Sequence, residues 1–355
     1  YGVLKAGGVV VATMPLLRAR ELSEIVTKAQ VSHALCDDRL MGELEEIKPV
    51  CPSLQRIVTW SDLERLMRGK PLFFENVETA SDDPALIAFT SGTTGRPKGC
   101  VHFHRDVLAV CDTFGKYILR ALPDDVFIGS PSIAFTYGLG GLVLFPMRIG
   151  AQTVLLERGS PDLLLPAIAE FGATVVFSSP TAYRAMALQA NSGGVGLPRM
   201  RKCVSAGEPL PVSTREYWKV RFGVEIIDGI GSTEMLHIFI SHTEEQVKPG
   251  AIGKPVPGYI ACVLDEEGKP LPPGRVGRLA VKGPTGCRYL ADERQREYVQ
   301  NGWNITGDAA SLDEDGYYAH YGRLDDLIVS AGYNIAPLEV EETLLQHPAV
   351  AECAV

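Results

Sequence analysis

Between residues 86 and 205 the chain alternates short apolar, often β-branched runs with longer stretches whose apolar residues recur at helical spacing. The runs at 86–90, 152–156, 174–177 and 202–205 read as strands, and 105–119, 161–171 and 180–189 read as helices. The theme begins earlier: Leu22, Ile25, Val26 and Ala29 mark one face of a helix over 20–29, and a strand follows at 33–36. A further β-branched run lies at 8–13. Helices of this length between strands carry the chain across a sheet, so the pattern predicts an α/β fold with largely parallel strands. Near residue 250 the character changes. Pro and Gly become dense, and short alternating runs at 259–265 and 277–282 predict a smaller antiparallel β-rich part. An amphipathic helix is expected at 338–346, with a new strand opening at Ala349.

The chain has 355 residues, 46% of them hydrophobic, enough for a large core. Its net charge of -9 argues against a general nucleic-acid binder, so any anion it holds must meet cations concentrated at one place. The 8 cysteines form no C-x-x-C pair and read as reduced thiols of a cytoplasmic protein. Cys100, His102 and His104 share a face if 101–103 is extended, but no fourth ligand lies near, and a structural role is the better reading than zinc. Residues 126–147 carry no charge and are about the length of a membrane span. Their glycines and prolines, and the adjoining Arg148, favour a buried strand, loop and helix instead. The chain opens on Tyr1 and stops inside an apolar run, which suggests a longer parent.

The segment 90–99, TSGTTGRPKG, carries the strongest chemical signal. It leaves the end of an apolar strand and holds 3 glycines, 4 hydroxyl residues and Lys98 within ten positions. Glycines let a backbone approach phosphate closely, successive N–H groups form an anion-binding concavity, and lysine adds a point charge. The P-loop pattern of nucleotide hydrolases is absent, because Pro97 precedes Lys98 and Gly99 follows it. The dinucleotide fingerprint is absent too, since Gly138 and Gly140 are followed by Val143 where a third glycine belongs.

Ser91 to Gly99, SGTTGRPKG, resembles the signature loop of the adenylate-forming superfamily of acyl- and aryl-CoA synthetases, luciferases and peptide-synthetase adenylation domains. Further motifs follow in the family's order: SAGEPL at 205–210, DGIGSTE at 228–234, TGD at 306–308, YGRLDD at 321–326 and SAGYNI at 330–335. The local wording around 130–141, 232–239 and 282–290 looks most like benzoate and 2-aminobenzoate CoA ligases. The resemblance implies the α/β adenylate-forming ligase fold: a large adenylation domain at 1–325, with a β-rich subdomain at about 240–325, and the start of a small α+β C-terminal domain at 326–355.

The resemblance also implies roles. Thr90, Ser91, Gly92, Thr93, Thr94, Gly95 and Lys98 would hold the ATP phosphates; Thr233 and Glu234 would face the α-phosphate and Mg2+; and Lys98, Thr233 and Glu234 form the catalytic set. Gly207, Glu208, Pro209, Asp228, Gly229 and Ile230 would surround adenine, with Ile230 where the family often stacks a tyrosine. Asp308 and Arg323 would take the ribose, Asp325 matches the hinge, and Ala331, Gly332 and Tyr333 would line the CoA tunnel. Phe135, Tyr137, Gly138, Gly231 and His237 would wall the acid pocket, where aromatic faces suit an aryl ring. Its carboxylate is ionised at neutral pH and needs no general base, so catalysis must come from positioning and charge neutralisation. The family's lysine near the end of the small domain lies beyond this chain, which is therefore expected to adenylate slowly. Competing readings are an adenylate-forming enzyme for another acid, transfer to a carrier-protein thiol or to oxygen, a non-catalytic nucleotide-binding relic and a simple nucleotide hydrolase. The intact motif residues and the loop spacing disfavour the last two.

Overall fold

The computed structural model describes residues 1–90, 96–193, 196–326, 328–330, 333–335, 337–345, 347, 350 and 353–355. They fall into two compact units, one of residues 1–107 with 287–295, the other of residues 108–286 with 296–355.

The first unit is built on short pairings. A helix at Ala19–Ala29 buries Leu22, Ile25 and Val26, as its spacing predicts, and Glu21 accepts from the Arg18 N–H at its start. Leu22 and Val26 pack with Leu44, Ile47, Cys51 and Leu54. Strands β1 (His33–Cys36) and β2 (Arg56–Thr59) pair in parallel beside them. Strands β3 (Pro84–Thr90) and β4 (Lys98–Phe103) form an antiparallel hairpin in which Thr90 faces Lys98. The run at 8–13 makes one bridge, with Val10 donating to the Ala85 carbonyl and accepting from Ile87.

The second unit holds a seven-stranded sheet. Strands β5 (Val126–Gly129), β6 (Gln152–Thr153), β7 (Val175–Ser178), β8 (Lys202–Ser205) and β9 (Ile226–Gly231) run parallel in the order β6-β5-β7-β8-β9. Beyond β9 the sheet turns antiparallel through β10 (Ile238–Ser241) and β11 (Lys254–Pro255). The link at 232–237 is too short for a crossover, so the chain returns as a hairpin. Crossover helices such as Pro161–Glu170 and Val212–Phe222 bury Leu164, Ile168 and Trp218 against Ile128 and Val176 of the sheet.

The predicted 105–119 helix is α-helical over His104–Val110 and widens to π-type bonding over Cys111–Leu119. The uncharged stretch gives β5, a loop, and a helix that runs Thr136–Leu139, π-type Gly140–Leu144 and Phe145–Ile149. Among the described residues no helix is long and apolar enough to cross a membrane.

A second, antiparallel sheet follows: β12 (Ile260–Leu264), β13 (Gly277–Lys282), β14 (Val299–Gln300), β15 (Trp303–Leu312) and β16 (Tyr318–Arg323). Strands β17 (Ile328–Ser330) and β18 (Tyr333–Ile335) pair with each other, and a helix occupies Pro337–Leu345. The architecture is α/β, a mixed sheet with helices plus a β-rich part, as the motifs imply.

Candidate active site

In the first unit, Lys98 opens β4, with its ammonium 5.1 Å above the Tyr289 ring. Across the hairpin, Thr90 carries a buried hydroxyl oxygen with no hydrogen-bond partner. Ser91, Gly92, Thr93, Thr94 and Gly95 lie outside the described residues. Cys100 and His102 are buried on β4, and His102 Nδ1 stands 3.8 Å from Asp106. Among the described residues no three His, Cys, Asp or Glu side chains group to hold a metal.

In the second unit, the carboxyl ends of three adjacent parallel strands place Ser178, Ser205 and Asp228 side by side in register. Ligands of open α/β sheets bind beyond such ends. The Ser178 and Ser130 hydroxyls pair at 2.8 Å, whereas the buried Ser205 hydroxyl has no partner. Burial raises the Asp228 carboxyl to about 7, against the pull of Arg215, the Gly229 N–H and His320. Behind Asp228, His242 Nδ1 faces the Thr243 carbonyl at 2.9 Å, and its Nε2 takes the Asp228 N–H at 3.2 Å. That arrangement selects the Nδ1–H tautomer, and burial holds this ring down to about 4. Gly207 follows β8 with φ +91 and open space where a side chain would stand. Exposed Glu208 accepts from the Thr181 hydroxyl at 2.6 Å and N–H at 3.3 Å, and Pro209 is exposed beside it. Gly229 packs under Ile238, and Ile230 is half-buried.

Thr233 and Glu234 lie on the turn between β9 and β10. Leu236 closes that turn at φ +68, a left-handed conformation that costs a non-glycine residue roughly 1–2 kcal/mol. The Met235 carbonyl accepts from Thr285, whose hydroxyl pairs with Tyr259, and Ser232 meets the Tyr298 hydroxyl at 3.4 Å. The turn is thus strained and braced from both sides, as residues held for function often are. Glu234 is buried within it.

His237, at the foot of the turn, is enclosed by rings. Phe145 meets it edge-on at 4.7 Å, with Phe114 at 5.2 Å and Tyr137 at 5.9 Å. Phe114 sits in one π-type stretch and Gly140 opens the other, where a Cβ would stand 2.7 Å from His237 Nε2. Such bulges widen a helix locally and are frequent at functional sites. Neither ring nitrogen makes a hydrogen bond, although the Tyr137 backbone lies close enough to bias the ring. Burial pulls the imidazole down to about 3, so it is neutral. The Tyr137 hydroxyl donates to the Ser178 and Val204 carbonyls, leaving its ring as the part available to a ligand. Gly138 packs on the Ser132 carbonyl, and Gly231 lies under the His237 carbonyl. Phe135 is 51% exposed and makes no ring contact with His237 among those given by the structure.

In the second sheet, Asp308 on β15 faces Arg323 on β16. Arg323 Nη1 donates to Asp308 Oδ1 at 3.2 Å and to the Thr306 carbonyl at 2.8 Å. His320 Nε2 is 3.4 Å from the same oxygen. Burial works against the Asp308 charge, yet His320 and Arg323 prevail and hold the carboxyl below its ordinary range. Asp325 is exposed on the turn after β16. Ala331 and Gly332 lie outside the described residues, and the Tyr333 backbone pairs with Ser330. Motif reading missed His320, Arg215 and His242, which belong to no motif, and Phe114 and Phe145, which lie in apolar runs with no distinguishing signal.

The model of the AMP-binding enzyme family matches residues 1–289. Benzoate–CoA ligase of Thauera aromatica is 34% identical over 363 aligned residues, which cover 100% of this chain and 69% of that relative. The crystal structure of an anthranilate CoA ligase in complex with anthranoyl-AMP superimposes with TM-score 0.95 at 35% identity, covering 100% of this chain and 70% of that one. ATP-bound MatB from Rhodopseudomonas palustris gives TM-score 0.91 at 30% identity, covering 99% and 71%. The chain belongs to the AMP-binding enzyme family and, within that adenylate-forming superfamily, to the acyl- and aryl-CoA ligases, which bind ATP and join an acid to a thiol with release of AMP.

Proposed function

We propose that this protein activates a benzoate-type aromatic acid, benzoate or 2-aminobenzoate, and delivers it to CoA. The observation that carries the reading is His237: a neutral, buried imidazole with two unspent nitrogens, walled by Phe114, Tyr137 and Phe145. Flat apolar walls suit an aryl ring, and one polar group among them suits its carboxylate or a ring substituent. The relatives named for benzoate and anthranilate support the same acid class.

In the first half-reaction a carboxylate oxygen attacks the α-phosphorus of ATP and the bond to pyrophosphate breaks. In the second, the CoA sulfur attacks the acyl carbon, the bond to AMP breaks, and the thiol proton passes to solvent. Lys98, Thr90 and the loop residues Ser91 to Gly95 hold the phosphates; Asp228, Gly229, Ile230 and Gly207 to Pro209 hold adenine; Asp308 and Arg323 hold ribose. Thr233 meets the α-phosphate. Glu234 fits magnesium, since a nucleotide-bound Mg2+ needs only one or two hard carboxylates beside phosphate oxygens, and it would supply charge neutralisation there. Residues 1–325 form the adenylation domain, its β-rich subdomain at about 240–325, and 326–355 begin the C-terminal one, with Asp325 as hinge and Ala331, Gly332 and Tyr333 toward CoA. The cysteines, all thiols, suit the cytoplasm.

The test is acid-dependent pyrophosphate release by the natural full-length protein with benzoate, 2-aminobenzoate, a phenylacrylic acid and acetate, followed by thioester formation with CoA. Preference for the benzoates is expected. Release with acetate alone would sink the aromatic reading.

A further inference from the structure

The stretch 287–295 belongs to the first unit although it arrives late in the chain. It lies along β4, with the Val101 N–H donating to the Arg288 carbonyl at 2.8 Å and the Leu290 N–H to the Gly99 carbonyl at 2.8 Å. Just past this pairing sits Asp292, whose side chain is 8% exposed. Its Oδ2 takes Lys28 Nζ at 2.6 Å and Arg294 Nη2 at 2.6 Å, and its Oδ1 takes Arg294 Nε at 2.8 Å and the Arg294 N–H at 3.2 Å. Both carboxylate oxygens are spent on orienting two cations. Each cation has a second partner: Lys28 Nζ donates to the Pro97 carbonyl at 3.2 Å, and Arg294 Nη1 to the Arg96 carbonyl at 3.3 Å. Those are the two residues before Lys98. The cluster borders a cleft of about 810 Å3.

Here two adjacent carbonyls, on the stem leading into β4, are gripped from the helix Ala19–Ala29 and from the 287–295 stretch. We propose that Asp292, with Lys28 and Arg294, is a positioning device that fixes the Arg96–Pro97 stem and so sets where Lys98 presents its charge. The inference rests on reading Lys98 as the phosphate-binding lysine. The device acts on the half-reaction that handles triphosphate and has no part in the transfer from adenylate to thiol.

The test uses Asp292→Asn and Lys28→Met in the natural full-length protein, with Lys98→Ala as reference. Acid-dependent pyrophosphate release is measured against ATP concentration, and thioester formation is measured separately from presynthesised acyl-adenylate. Misplacing a catalytic group by an ångström costs up to about 100-fold. We expect Asp292→Asn to lower kcat/KM for ATP about 10- to 100-fold, Lys28→Met less, and Asp292→Glu to recover part of the loss, with thioester formation within about twofold of the parent throughout. Loss of both half-reactions together with a lower melting temperature would reduce the cluster to a structural ion pair and overturn the proposal. An unchanged Asp292→Asn beside a disabled Lys98→Ala would overturn it too. An unchanged Lys98→Ala would instead overturn the reading of Lys98.

Discussion

Replacing His237 by Leu should make the protein more stable, and increasingly so as the pH falls. The ring is 3% exposed with no hydrogen bond at either nitrogen, and leaving buried polar groups unpaired costs about 1–3 kcal/mol. Leucine has similar bulk and no such groups, so at pH 8 we expect a gain of about 1 kcal/mol. The pH dependence follows from linkage. Free histidine titrates near 6.5, whereas this ring is held to about 3. Between those values the unfolded chain takes up a proton that the folded one refuses, so the histidine's contribution to stability falls as the pH falls. At pH 5 the unfolded side chain is about 1.5 units below its pKa, which at 1.36 kcal/mol per unit is about 2 kcal/mol. His242, held to about 4, gives the same sign. Asp228, raised to about 7, gives the opposite one, because its folded form keeps a proton that the unfolded form releases. Both are common to parent and variant and cancel in the difference. Urea titrations at pH 8 and pH 5, followed by tryptophan emission with fully buried Trp218 as reporter, measure that difference. A gap widening by about 2 kcal/mol is expected; equal gaps at the two pH values would show that the folded ring accepts a proton and would refute the enclosure described.

Three other outcomes are expected. Gly140→Ala places a Cβ 2.7 Å from His237 Nε2, and overpacking of this kind costs about 1–3 kcal/mol; the loss should shrink when His237→Ala is added, measured as a double-mutant cycle by urea titration. Gly307→Ala forces a side chain onto φ +79 and sets its Cβ 2.5 Å from Arg323 Nη2, so stability should fall by at least about 1–2 kcal/mol in the same titration and the KM for ATP should rise. Asp308→Asn removes the charged acceptor between His320 and Arg323; charge-assisted hydrogen bonds are worth about 1.5–3 kcal/mol, so calorimetry should show ATP binding weakened at least 10-fold, with 2′-deoxy-ATP losing less.

The phosphate segment and the acidic and basic motif residues can be proposed from sequence because they stand close together in it: Lys98 follows its glycines, and Thr233 adjoins Glu234. The α/β class was legible for a similar reason, since strand and helix periods differ within a few residues. What sequence could not supply is set by register and by distance along the chain. His320 reaches Asp308 only because β15 and β16 pair with Asp308 opposite Arg323. Lys28 meets Asp292 across 264 positions. The cage around His237 takes Phe114 from one π-type stretch and lies against Gly140 at the start of another, and helical periodicity is silent on where such stretches fall. The turn at Leu236 was hidden for the opposite reason: a left-handed residue is expected to be glycine, and this one is a buried leucine held by its neighbours.

The two ends of the parallel sheet treat buried polar groups differently. At the amino end, Asp125 is satisfied by Arg201, the Thr174 hydroxyl and the Leu122 N–H, while Thr174 also accepts from the Val126 N–H. Lys202 beside them is paired with Glu244. Each of these groups has a protein partner. At the carboxyl end, Ser205 and His237 keep three buried polar atoms without partners, and the Asp228 carboxyl is driven toward its neutral form. A fold able to saturate one end of its sheet has no topological reason to leave the other end short. Unpaired buried groups lower stability, and a ligand that pairs them recovers that cost on binding. The unsaturated end is therefore where a polar ligand gains most, and Ser205 and Asp228 of two motifs stand there in register.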